Sequence, residues 1–108
     1  MDKAWKRTER RVAALVGGTR VPVTGRSRGD APDIAHAWLC PEVKHRKLLP
    51  VWLHDAMRQA RAAVRGDQVP VVILHQAGQR HTEDLVVVRM CDWVALHGAS
   101  GLTGAGDE

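Results

Sequence analysis

Phenylalanine and tyrosine are absent from this chain of 108 residues, whose whole aromatic complement is four tryptophans. Cysteine is scarce too. Cys40 and Cys91 lack CxxC spacing and cannot build a multi-bridge disulfide framework, which fits a reducing cytoplasm and two thiols kept as small buried hydrophobes. No apolar run approaches the ~18–20 residues that a membrane span needs. The segment from Met1 to Arg11 is polar and charged with no apolar stretch behind it, so a soluble, cytoplasmic protein without a standard secretion signal is expected. What is present is a globular composition. With 44% hydrophobic and 26% charged residues the chain can bury a modest core, and its length suits one domain. Sixteen Lys and Arg face twelve Asp and Glu, a net charge of +4. Asp107 and Glu108 lie in a Gly-rich tail, so the ten other acids leave +6 on the rest. Twelve of the sixteen cations are arginine, whose planar fork pairs phosphate bidentately, and this balance points to a polyanion partner.

Lys3 to Val16 reads as an amphipathic helix, with Trp5, Val12, Ala13 and Val16 on one stripe and Lys6, Arg7, Arg10 and Arg11 on the other side. Gly17-Gly18 ends it by supplying a left-handed cap. Arg20 to Val23 is a short extended piece, and Thr24 to Pro32 a loop with Arg20, Arg26 and Arg28 about it. Asp33 to Leu39 and Glu42 to His45 read as two extended segments joined near Cys40-Pro41; Pro41 cannot donate to a ladder and belongs at a strand start, a bulge or an edge. Helical spacing returns from Pro50 to about Arg65, with Leu53, Ala56, Met57, Ala60 and Val64 on one face and Gly66-Asp67 as the close. Val69 to His75 and Leu85 to Met90 are nearly continuous apolar runs, expected to be strands buried on both faces. Cys91 to His97 is expected to be a short helix packing Trp93 and Leu96. After Gly98 the composition collapses to small residues, so residues 98–108 are expected to be a flexible tail beside a domain over 1–97. This order predicts an α/β fold with a mixed central β-sheet flanked by helices.

The chemistry-bearing stretch is Pro32-Asp33-Ile34 followed by Glu42-Val43-Lys44. In an extended strand Glu42 and Lys44 project from the same face while Val43 points inward. If the preceding segment pairs beside it, Asp33 brings a second carboxylate to the same edge. Two carboxylates and the Val43 carbonyl make a hard-oxygen site suited to Mg²⁺, with Mn²⁺ as a substitute, where a water can be activated against a phosphodiester. Lys44 would stabilise the developing charge or orient that water. An acid-x-Lys triplet alone is an ordinary surface ion pair. The upstream Pro-Asp and the downstream basic run Lys44-His45-Arg46-Lys47 give this one weight. Glu9 is a second oddity, because it stands on the apolar stripe of the first helix, where a carboxylate needs an arginine partner or a metal or its waters. Gln59, beside the stripe of the second helix, is a supporting candidate that would orient a lysine or a phosphate.

These residues together resemble the PD-(D/E)xK nuclease superfamily, and within it the small archaeal-type Holliday-junction resolvases and their phage-encoded relatives. The matching positions are Trp5-Lys6-x-x-Glu9-Arg10, Gly17-Gly18, Thr24-Gly25, Gly29-Asp30-x-Pro32-Asp33-Ile34, Glu42-Val43-Lys44 and the helix carrying Gln59-Ala60, spanning Lys3 to about Leu96. The resemblance implies a restriction-endonuclease-like core, a divalent metal, and cleavage of branched DNA by a homodimer in a bacterial, archaeal or phage-infected cell. By motif, Asp33 and Glu42 would bind metal, Lys44 would assist the nucleophile, and Glu9 would complete the site directly or through a water. Arg20, Arg26, Arg28, His45, Arg46 and Lys47 would contact DNA. Pro41 departs from the pattern, standing where the family carries an aliphatic strand residue.

Other readings stay open from the residues. A basic nucleic-acid-binding module with an idle acidic cluster, or a nickase, flap or restriction-type nuclease, fits the same composition. His36 and His45 flank the acidic pair and are candidate phosphate contacts. His75 and His81 are separated by five residues with no cysteine at ligand spacing, so structural or surface roles are expected of them. The tryptophans lie beside other hydrophobes, and core packing is expected of them rather than base stacking.

Overall fold

The first helix, α1, runs from Ala4 to Val16, and the chain leaves it through a Schellman turn. Gly17 sits at φ 81°, its N–H donates to the Ala14 carbonyl, and the Gly18 N–H donates to Ala13 at 2.8 Å. The structure is a computed structural model describing residues 3–22 and 32–98. Among these it is mixed α/β, with three helices and two small antiparallel sheets. The remaining elements are β1 (Thr19–Arg20), β2 (Ile34–Ala35), α2 (Val51–Ala62), β3 (Val71–Leu74), a 3-10 turn (His81–Glu83), β4 (Leu85–Val88) and α3 (Met90–His97). The contacts divide the chain into two units: Met1–Arg46 with Val94–Glu108, and Lys47–Trp93.

In the first unit α1 packs on β1, and β1 pairs with β2 in the register Thr19 to Ala35 and Arg20 to Ile34. Ala13, Val16 and Ile34 are its buried apolar residues. Gly18 makes the close approach feasible. A Cβ there would stand 2.5 Å from the Ala35 carbonyl oxygen and 2.6 Å from Ile34 Cγ2. The oxygen belongs to the backbone and cannot rotate away, so Gly18→Ala is expected to destabilise the protein by about 1–3 kcal/mol, read as a lowered urea midpoint with an unchanged slope.

A third segment lies beside β2 without becoming a strand. The Asp33 N–H donates to the Pro41 carbonyl at 3.3 Å, and Val21 N–H donates to the Asp33 carbonyl at 2.9 Å. Proline has no N–H to return the bond. The Val43 amide instead donates to Asp33 Oδ2 at 2.6 Å. The two extended segments expected over 33–39 and 42–45 thus reduce to the short β2 and an irregular neighbour.

In the second unit Pro50, at φ −57°, precedes α2 and presets its first turn. The expected face of Leu53, Ala56, Met57, Ala60 and Val64 is the half-buried one, and α2 packs on β3. β3 and β4 form an antiparallel hairpin in the register Val71 to Val88 and Leu74 to Leu85. Val72 is buried, whereas Ile73 is 62% and its cross-strand partner Val86 63% exposed. The expectation that both apolar runs are covered on two faces is therefore corrected. An apolar run reports strand content, but among the described residues this sheet has two strands, with α2 packed on β3. A single mixed central sheet is likewise replaced by two separate antiparallel pairs.

α3 begins directly after Arg89, whose Nε donates to Asp92 at 3.0 Å, and that carboxylate raises the guanidinium's pKa. The short helix expected over 91–97 is thus present. Other burial expectations fail. Cys40 and Cys91 are free thiols but exposed, and Trp38 and Trp52 are exposed rather than in the core. Trp38 stands edge-on to His36 and His97, with ring centroids 5.5 Å and 5.9 Å away. Of the tail expected over 98–108, residues 99–108 lie outside the described residues.

Candidate functional site

The acid at position 33 is held by the sheet edge it belongs to. Asp33 is only 6% exposed, and a buried carboxylate requires donors. The Val43 amide supplies one at 2.6 Å. That bond places Asp33 against the segment carrying Glu42 and Lys44. Glu42 and Lys44 project to solvent on either side of the half-buried Val43, as alternation requires, and Lys44 Nζ lies 3.1 Å from Glu42 Oε2. Both side chains of that pair are mostly exposed. Such a pair contributes about 0–1 kcal/mol, so either member can turn to a new partner at little cost.

Glu9 is the other buried acid, 5% exposed on the inner side of α1. Its Oε1 accepts from Arg20 Nε at 2.8 Å, which ties α1 to β1. The Arg20 guanidinium also lies 5.7 Å from the Trp5 ring centroid. Trp5 and Glu9 are four residues apart on one helix face, so a ring and a carboxylate grip the same cation. Of the two partners considered for Glu9, an arginine or a metal, the structure supplies the arginine. Arg20, expected at the DNA surface, is engaged with that carboxylate.

Among the described residues, the three-residue group of potential ligands whose atoms all lie within 4.8 Å of one another is His75, His81 and Asp84. Glu9, Asp33 and Glu42 do not form such a group. Asp33 and the 42–44 segment are brought together, and Glu9 is separately paired. Carboxylates and a backbone carbonyl, the donor types of Asp33, Glu42 and Val43, are those a hard dication takes.

The basic run is on the surface. His45 Nδ1 lies 2.7 Å from Thr8 Oγ1 on α1, Arg46 donates to the His45 carbonyl at 3.3 Å, and Arg46 and Lys47 are exposed. Arg26 and Arg28 lie outside the described residues. Lys47 and Gln59 belong to the 47–93 unit, where Gln59 is exposed on α2. His36 has a structural role. Its Nδ1 accepts the amides of Trp38 and Leu39 at 3.2 Å and 3.1 Å, and amides only donate. The ring proton therefore sits on Nε2, which donates to the Val16 carbonyl at 2.8 Å. His36 closes the end of α1 instead of standing ready for phosphate.

The group at His75, His81 and Asp84 was not legible in the sequence as a set. His75 Nδ1 is 2.6 Å from Asp84 Oδ1, and His81 Nδ1 is 3.1 Å from Asp84 Oδ2. The available signal was a His-x5-His-x2-Asp spacing spanning the turn between two strand-like runs. Compared with protein-family models, with curated proteins and with solved structures, the chain matches none of them.

Proposed function

We propose that this protein is a metal-dependent, structure-selective DNA endonuclease of the PD-(D/E)xK kind, with a restriction-endonuclease-like core, that nicks four-way junctions as a homodimer. The observation that carries the reading is the bond from the Val43 amide to the buried Asp33 carboxylate, with Glu42 and Lys44 flanking that amide. It sets the acid-x-Lys triplet beside a fixed acid, as a phosphodiester-cleaving site needs. The hard-oxygen chemistry of Asp33, Glu42 and the Val43 carbonyl fits Mg²⁺, with Mn²⁺ as substitute. Bound there, such an ion supplies charge screening for the phosphate and a lowered pKa for water.

The chain's own residues do the rest. Asp33 is preorganised, since its burial and its amide partner fix the carboxylate before any ligand arrives. Glu42 is exposed and held by a solvent-screened pair with Lys44, so it would help hold such a dication at small cost. Lys44, beside Glu42, would stabilise the negative charge that develops on a scissile phosphate. His45, Arg46 and Lys47 supply sequence-independent attraction to the backbone. Symmetric resolution of a junction needs two such sites, hence a two-fold dimer.

In the presence of Mg²⁺, a labelled four-way junction is expected to be nicked while a linear duplex of equal length is largely spared. Equal cleavage of both would favour a general, flap or restriction-type nuclease. No cleavage in Mg²⁺ or Mn²⁺ removes the enzyme reading. A second reading, a non-enzymatic basic nucleic-acid-binding module, draws support from the two ion pairs, Glu9 with Arg20 and Glu42 with Lys44. Glu42→Gln separates the two. Under the enzyme reading it abolishes nicking and leaves junction binding intact or tighter; a binding module has no metal-dependent step to lose.

A further inference from the structure

We propose that His75, His81 and Asp84 form a binding site for a first-row transition-metal dication of the zinc class, at the loop end of the β3–β4 hairpin. This site shares no residue with the acidic one. Each ligand comes from a defined position. His75 follows the last residue of β3, Asp84 precedes the first residue of β4, and the pairing of Leu74 with Leu85 makes them the next positions across the hairpin. His81 opens the 3-10 turn, which carries it back over the same carboxylate three residues before Asp84. Gly78, at φ 86°, lets the intervening loop reverse.

The geometry is convergent. Both imidazoles aim Nδ1 at one carboxylate, one at each oxygen, at 2.6 Å and 3.1 Å. Their rings are stacked, with centroids 4.2 Å apart and planes 25° from parallel. A hairpin clasp needs one such contact. The second comes from a ring whose side chain is 83% exposed, and an exposed pair contributes little to stability. Two nitrogens and a carboxylate within 4.8 Å of one another suit a dication that takes imidazole and carboxylate at ~2.0–2.2 Å. The dication takes the place of the protons that link ring and carboxylate in its absence.

The composition of the site sets the metal class. Imidazole suits zinc, copper, nickel and iron, whereas magnesium and calcium prefer an all-oxygen shell. Three protein ligands leave a fourth tetrahedral position, which the exposure of His81 opens to water. The carboxylate is the anchor, since the Asp84 side chain is only 12% exposed, and the outer histidine adjusts to it. Binding joins the two strand ends, so the 47–93 unit becomes harder to unfold when metal is present.

The test uses the full-length protein titrated with Co²⁺ and with Zn²⁺. The visible ligand-field band reports Co²⁺ coordination, calorimetry reports stoichiometry, and thermal unfolding reports the linkage. One dication per chain is expected, with a raised Tm and no displacement by excess Mg²⁺. His81→Gln and Asp84→Asn are expected to weaken binding by more than about 100-fold, above the range seen when only an outer-shell partner is removed. His54→Gln, at an exposed histidine on α2, is expected to leave binding unchanged. His81→Gln alters a surface side chain, so an unchanged metal-free Tm certifies its fold. Absence of binding by either ion at micromolar concentration overturns the proposal, and so does binding that persists undiminished in both ligand variants.

Discussion

Arg20→Ala is expected to destabilise the protein by about 3–5 kcal/mol, the range found when one member of a buried ion pair is removed. The change deletes a guanidinium 2.8 Å from the Glu9 carboxylate, which is 5% exposed and stays behind in the interior. It also removes one of the two cations near the Trp5 ring, Lys6 being the other, and the side-chain tie from β1 to α1. Against a total stability of ~5–15 kcal/mol for a domain, such a loss consumes a large share. The asymmetry of the pair supplies the control. Glu9→Gln leaves Arg20 with the greater solvent access of the two, 15% against 7% for the side chains, so its cost is smaller. A double change to apolar residues of similar volume, Glu9→Leu with Arg20→Met, is expected to recover most of the loss, because neither buried charge remains to be desolvated. Urea denaturation of the four proteins reads the cycle. An Arg20→Ala protein as stable as the parent would contradict the buried pair.

Asp33 offers the second large effect, and two substitutions there separate folding from chemistry. In Asp33→Asn the side-chain oxygen still accepts the Val43 amide, now bonded 2.6 Å from Oδ2, so stability is expected to fall by only about 1 kcal/mol. The charge is gone, however, and Mg²⁺-dependent nicking of a junction is expected to drop to background. Asp33→Ala removes the acceptor too. It leaves the Val43 amide without that partner at the edge of β2, for about 1–3 kcal/mol more, and loosens the segment bearing Glu42 and Lys44. Denaturation curves and junction-cleavage rates measured on the same preparations decide the matter. Full nicking by Asp33→Asn would take Asp33 out of the proposed active site.

Local patterns in the sequence carry to the structure where one short segment determines the outcome. Gly17-Gly18 specifies the end of α1 because only a residue tolerant of positive φ makes the turn, and Pro50 presets the first turn of α2. The inward position of Glu9 follows from its spacing to Trp5, but Arg20 as its partner does not, since the two meet only once β1 folds against α1. The alternation around Val43 was legible, and so was the proximity of its segment to Asp33. That the Val43 amide would choose the carboxylate was not, since the bond forms only once the 41–43 segment lies beside Asp33. The apolar runs 71–74 and 85–88 announce strands, yet the number of layers over them depends on what else packs there. Ile73 and Val86 are open for that reason. His75, His81 and Asp84 converge through hairpin register, which emerges only when the two strands pair.

α1 has no acidic residue in its first turn and no basic one in its last, while Lys6 and Arg7 crowd its start. Both ends therefore forgo macrodipole stabilisation, and the opening turn repels the cations placed on it. The amino end is thereby the less stabilised of the two, while the glycine turn latches the other. Screening by dissolved electrolyte relieves that repulsion, so ionic strength tightens the scaffold on which Glu9 stands even as it weakens attraction to any polyanion.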